Sequence, residues 1–112
     1  MVMKKSNVVL IGMPGAGKST VGVVLAKILG YKFVDTDLVI QEKEGRLLKE
    51  IIADEGNDGF LEIEDRINAQ LEAEDSVIAP GGSVVYGENA MKHFKDIATV
   101  VYLKASYETI NE

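Results

Sequence analysis

Apolar residues fall along this chain in two rhythms. Val8 to Ile11 is β-branched or leucine throughout with no polar alternation, the pattern of a strand buried on both faces. After a glycine-rich stretch, Val21, Val24, Leu25, Ile28 and Leu29 recur at helical spacing until Gly30 stops them. "YKFVDTD" reads as a short second strand ending in two aspartates. Leu38, Ile40, Leu47, Leu48, Ile51 and Ile52 predict helix over about 38–53, interrupted at Gly45, and "DEGNDG" is a loop by composition. Beyond it Phe60, Ile63, Ile67 and Leu71 stripe a helix whose other sides carry Glu62, Asp65, Glu72 and Glu74. "SVIA" is a third buried strand, "PGGS" a tight turn, and 88–94 a short helix. "IATVVYL" is the fourth strand, and "SYETINE" opens a further helix that Ser106 would cap.

The order β-α-β-α-α-β-α-β defines an α/β protein, with a parallel sheet between helices in three layers. At 112 residues there is room for one domain and one core. The last helix meets no stop signal before Glu112, so residues 1–112 are expected to be a single domain, incomplete at its C-terminal end.

Composition changes this picture in three ways. Cysteine is absent, which excludes disulfides and thiolate metal sites. Lys4 and Lys5 precede an apolar run as in a secretion signal, but Gly12 and Pro14 cut that run short. No segment is long enough to span a membrane, so a cytoplasmic protein without a membrane partner is expected, monomeric when complete. Eighteen acidic against twelve basic residues leave a charge of −6 and no basic stripe, which argues against nonspecific nucleic-acid binding. A polyanion site in such a chain must be built locally, from backbone amides, a lysine and a metal ion.

One stretch has that composition. Gly12-Met13-Pro14-Gly15-Ala16-Gly17-Lys18-Ser19 fits G-x-x-x-x-G-K-[ST] at every fixed position, between a buried strand and an amphipathic helix. Glycines let the backbone curl so that successive amides, Gly15 through Ala16, Gly17 and Lys18 to Ser19, surround a phosphate. The helix adds the positive end of its dipole. Lys18 would reach the β- and γ-phosphates of ATP, Ser19 would offer an oxygen to Mg²⁺, and Thr20 is placed for the α-phosphate. There is no guanine-reading N-K-x-D, and no apolar run ending in a lone aspartate or Asp-Glu pair. Instead Asp35 and Asp37 follow the second strand, on the sheet edge that carries the phosphate loop. One would hold the metal's water shell while the other orients an acceptor hydroxyl and takes its proton. The same Asp-x-Asp is also what a helix N-cap followed by a first-turn acid looks like.

With "GMPGAGKSTVG", "FVDTDLVI", "GFLEIED" and "APGGSVV" in this order, the chain resembles the shikimate kinases, small P-loop kinases of the nucleoside monophosphate kinase type. The resemblance implies transfer of the γ-phosphoryl of ATP to a hydroxyl of shikimate, with Mg²⁺. It gives Lys18 and Ser19 to ATP and the metal, Asp35 to the metal through water, and Asp37 to the acceptor hydroxyls, as candidate base. Gly81 and Gly82 would bring backbone amides to the acceptor, although a Gly-Gly is equally a plain β-to-α turn. The family commonly has F-R-x-x-E, its arginine clamping the substrate carboxylate; here Leu61 replaces the arginine and Glu64 is retained. Leu61, Glu64 and Asn68 share a helix face apart from the Phe60/Ile63/Ile67 stripe, so Leu61 is placed toward the acceptor pocket. Ser83 and Pro80 also depart from the family, which often has a third glycine and a threonine. Family members continue into a fifth strand, an arginine-bearing lid, a further substrate arginine and an adenine-contacting loop. None of these occurs before Glu112, so weak nucleotide binding and poor transfer are expected of these residues alone. A gluconate- or nucleotide-kinase-like enzyme, or a non-catalytic nucleotide-binding module, shares the same loop. Arg66 and His93 are expected to be surface residues.

Overall fold

The computed structural model describes residues 6–12 and 18–103, with Lys18 and Ser19 described by backbone alone. Strand β1 (Asn7–Gly12) leads to helix α1 (Lys18–Leu29), then β2 (Lys32–Asp35), α2 (Thr36–Glu44) and α3 (Leu48–Ala69). Strand β3 (Ser76–Ala79), a 3₁₀ turn (Gly82–Tyr86), α4 (Glu88–Ile97) and β4 (Ala98–Leu103) complete the order. All pairings are parallel and the sheet runs β2-β3-β1-β4. The α/β class and the four strands are as the apolar rhythms predict. The "SYETINE" helix and its Ser106 cap lie outside the described residues.

Alternation along β1 divides the core. Val9 and Ile11 pack with Ile78, Val84, Ala90, Phe94 and Ala98 on the α4 side. Leu10 packs with Ala26 and Val77 on the α1 side. A third cluster, Ile40, Ile51 and Ile67, joins α2 to α3. Asn7, 3% exposed, secures the start of the sheet. Its Nδ2 donates to Ala73 O (2.8 Å) and Ile97 O (3.1 Å), and its Oδ1 accepts from Ser76 N at 3.0 Å. One buried amide on β1 thus satisfies backbone groups at the starts of β3 and β4, as a polar group taken from water must.

Two expectations are corrected. Helix α1 does not bury the predicted stripe: Val21, Val24, Ile28 and Leu29 are exposed, and the helix lies on the sheet through Gly22, Leu25 and Ala26. A Cβ at Gly22 would collide with the Phe33 ring, so the small residues allow an approach the larger ones would block. "DEGNDG" is not an open loop. Helix continues on both sides of a kink at Gly56 (φ 77°, ψ 172°), a conformation glycine adopts at little cost. The tight turn predicted at "PGGS" is present and runs directly into the 3₁₀ turn, Val84 N donating to Gly81 O at 3.2 Å.

The break at Gly45 is as predicted. That residue is left-handed (φ 67°, ψ 25°) and its N–H closes α2 by donating to Gln41 O at 2.8 Å. No helix among the described residues is long and apolar enough to cross a membrane.

Candidate active site

Because the strands are parallel, β1, β2 and β3 finish on one edge, where loops of α/β sheets meet their ligands. Those ends are Gly12, Asp35 and Ala79. Strand β3 lies between the other two, so Pro80-Gly81-Gly82 leaves the sheet between the phosphate-loop motif and the paired aspartates. Two strand spacings, about 10 Å, separate the lines of β1 and β2.

Gly12 ends β1 where a side chain would not fit: a Cβ there would stand 2.6 Å from Leu103 O. Gly15, Ala16 and Gly17 lie outside the described residues. Helix α1 starts at Lys18, with Ser19 following and Thr20 exposed in the first turn. No acidic residue occupies that turn, so the positive end of the helix dipole is not neutralised by its own sequence.

Asp35 caps α2. Its Oδ1 accepts from Asp37 N at 2.9 Å, satisfying one of the unpaired amides of the first turn. The capping alternative therefore describes one oxygen of Asp35, and it fixes the backbone from which Asp37 projects. Asp37 and Glu64 then converge on Gly81. A Cβ there would lie 2.9 Å from Asp37 Oδ1 and 3.4 Å from Glu64 Oε2. Glu64 is 2% exposed and accepts from Ser83 Oγ at 2.8 Å (Oε1) and 3.1 Å (Oε2). Leu61, one turn earlier on that face of α3, is half-buried, whereas Gly82 is exposed. The structure thus gathers Asp37, Glu64 and Gly81 on the sheet edge where β1 ends at Gly12, with Leu61 one turn away on the Glu64 helix.

Several polar features escaped sequence reasoning. Ser83 as a partner of Glu64 is one, since no local spacing links residues 19 positions apart. Asn68 and Thr36 are buried at 1% and 0% exposure, and neither the Asn68 amide nor Thr36 Oγ1 has a partner among the described residues. Such groups call for bound water or ligand. Arg66 is a surface residue, donating to Glu44 at 3.2 Å, and Arg46 joins the same carboxylate at 2.7 Å. His93 is half-buried, and its Nε2–H donates to Leu71 O at 2.6 Å, a structural tie between α4 and the end of α3.

A parallel sheet between helices, with a phosphate-loop motif after its first strand and acidic residues after its second, defines a P-loop α/β fold. The shikimate kinase family model matches residues 14–112. Curated relatives include the shikimate kinase of Persephonella marina (strain DSM 14350 / EX-H1), 37% identical over 107 residues, which are 95% of this chain and 65% of the relative. Another, from Sulfurihydrogenibium sp. (strain YO3AOP1), is 41% identical across 93% of this chain and 63% of its own length. Among solved structures, a shikimate kinase from Acinetobacter baumannii in complex with shikimate matches with a TM-score of 0.83 at 36% identity, covering 91% of this chain and 57% of that one. A gluconokinase from Sinorhizobium meliloti 1021, 21% identical with a TM-score of 0.58 over 95% of this chain and 61% of that one, shares the fold. The chain belongs to the shikimate kinase family. It spans just under two thirds of the length of the curated relatives it matches.

Proposed function

We propose that this chain carries the nucleotide and acceptor sites of an ATP-dependent kinase acting on shikimate, in the cytoplasm and as a monomer. The observation that carries this reading is the convergence of Asp37 and Glu64 on the Gly81 backbone, on the sheet edge that also carries the phosphate-loop motif. Two carboxylates facing a backbone turn form a recognition site for hydroxyls, because each carboxylate oxygen accepts and the amides donate. The Acinetobacter baumannii relative, described in complex with shikimate, supports the choice of acceptor.

In this proposal the amides of Gly15 to Ser19 and the Lys18 ammonium hold the β- and γ-phosphates. Asp37 orients the acceptor hydroxyl and takes its proton as the oxygen attacks the γ-phosphorus; the bond to the β-phosphate oxygen breaks and ADP leaves. Ser19 would hold Mg²⁺ directly and Asp35 through water, using the carboxylate oxygen not engaged in the cap. When bound, the ion neutralises charge on the phosphates. A hydroxyl, a carboxylate, phosphates and water make a donor set suited to Mg²⁺.

Leu61 favours a second reading, in which the acceptor is another small polyol or hydroxy acid. A leucine cannot make the bidentate pair that a guanidinium forms with a carboxylate. The test is a thermal-shift panel with Mg–ATP combined in turn with shikimate, gluconate and nucleoside monophosphates. The true acceptor raises the unfolding temperature by mass action. Asp37→Asn should spare nucleotide binding and abolish transfer to that acceptor. A chain whose stability responds to none of the acceptors, or whose nucleotide-dependent behaviour is unchanged in Asp37→Asn, would be a nucleotide-binding module instead.

A further inference from the structure

We propose that Ser83 is a positioning residue for the acceptor site, its hydroxyl setting the orientation of the Glu64 carboxylate toward Gly81. The inference rests on the phosphotransfer reading above and adds to it a residue the family resemblance assigns no role.

Glu64 is almost fully buried, and a buried carboxylate is tolerated only where hydrogen bonds replace its water. Ser83 Oγ lies 2.8 and 3.1 Å from its two oxygens, centred on the carboxylate rather than attached to one edge. A single hydroxyl proton shared in this way restrains rotation of the group. Ser83 belongs to the same short 3₁₀ turn that Gly81 caps, two positions after it. The contact therefore fixes two things together: the rotation of Glu64, and the distance from α3 to the Gly81 backbone. Glu64 Oε2 consequently stands 3.4 Å from the space a Gly81 Cβ would occupy, opposite Asp37 Oδ1 at 2.9 Å.

Among the described residues, Leu61 and the two arginines of this region do not take this duty. Leu61 on the same helix face has an apolar side chain. Arg66 reaches Glu44, and Arg46 reaches Glu44, Asp54 and Glu55. A serine after the two glycines thus supplies a neutral hydrogen-bond donor to Glu64 where the adjacent helix position supplies none.

The test compares wild type, Ser83→Ala and Ser83→Thr. Shikimate and Mg–ATP affinities are measured separately by NMR titration, and stability by urea unfolding. Ser83→Ala should weaken shikimate binding about tenfold, equivalent to about 1.4 kcal/mol, and leave Mg–ATP within about twofold. Ser83→Thr, which keeps the hydroxyl, should restore shikimate affinity to within about threefold of wild type. A double-mutant cycle of Ser83→Ala with Glu64→Gln, read from urea midpoints without ligand, should show coupling between the two sites.

Absence of that coupling overturns the proposal whatever the ligand results. So does wild-type shikimate affinity in Ser83→Ala, or a loss that falls equally on both ligands, which marks a merely structural tie. Coupling present with no shikimate binding by wild type would instead sink the acceptor reading, and the positioning role with it.

Discussion

Replacing Gly81 with alanine separates a functional glycine from a structural one. Its φ of −64° and ψ of 163° are open to any residue, so backbone strain does not oppose the change. Alanine restricts the unfolded chain, which stabilises by about 0.4–1 kcal/mol. Against this, the new methyl stands 2.9 Å from Asp37 Oδ1 and 3.4 Å from Glu64 Oε2, so the aspartate must rotate. Pushing a side chain off its rotamer costs about 0.5–1.5 kcal/mol. The two effects nearly cancel, and the unfolding temperature should move by less than about 8 °C. Acceptor binding should respond very differently. The methyl takes the ground between the Gly81 backbone and the carboxylates, and a bridging hydroxyl there loses two hydrogen bonds to charged groups. At about 1.5–3 kcal/mol each, the loss is about 3 kcal/mol or more, a fall in affinity beyond about 100-fold. Calorimetric titration of shikimate, run beside thermal unfolding of the same preparations, reads both quantities. Shikimate affinity within about threefold of wild type would refute the placement of the acceptor at this turn. A collapse in unfolding temperature beyond the stated range would show the glycine to be structural.

Other perturbations test the scaffold. Asp65 accepts from Ala90 N at 2.7 Å and from Asn89 Nδ2 at 2.9 Å, so α3 caps α4, whose own N-cap is Gly87. Asp65→Ala should cost about 1 kcal/mol and lower the unfolding temperature by about 4–8 °C in a calorimetric scan. Gly12→Ala places a methyl 2.6 Å from Leu103 O, a backbone atom held in the parallel ladder; a loss of about 1–3 kcal/mol in urea unfolding is expected. Glu44 has its carboxyl held below the ordinary 4.5, first by the hydrogen bond from Arg46, with Arg66 adding to it against the opposing effect of burial. A depressed folded value stabilises above the unfolded value and is lost as pH falls through the folded one. Urea midpoints should therefore drop as pH falls below 4.5, and drop less steeply in Glu44→Gln.

What the sequence made legible follows from what its signals are. The two central strands were plainest because parallel strands buried on both faces are runs of Val, Ile and Leu, as Val8–Ile11 and Ser76–Ala79 show. Strand order then places the ends of β1, β2 and β3 together, so Asp35 and Asp37 near the loop motif follow from topology alone. The face of α1 was misjudged because an apolar stripe signals burial only when large residues make the contact. Here Gly22 and Ala26 make it, with Leu25, and bring the helix close enough to exclude the valines. The kink at Gly56 was hidden by its acidic, glycine-rich neighbours, whose composition is that of a loop whether or not helix resumes after one residue.

The acceptor side was legible only in part, for a related reason. Glu64 could be placed on a helix face by counting, but its state depends on a contact with Ser83 across the fold. Phosphate recognition uses consecutive backbone amides and so leaves a local motif in the sequence. In the proposed site, hydroxyl recognition would use side chains from α2, α3 and the turn after β3, which only the folded sheet edge brings together. On the proposed reading, a loop motif can persist while the acceptor pocket is rebuilt residue by residue, and Leu61 and Ser83 are the positions where this chain would differ. Acceptor specificity would then lie along the Gly81 turn and the face of α3 opposite it, rather than in the phosphate loop.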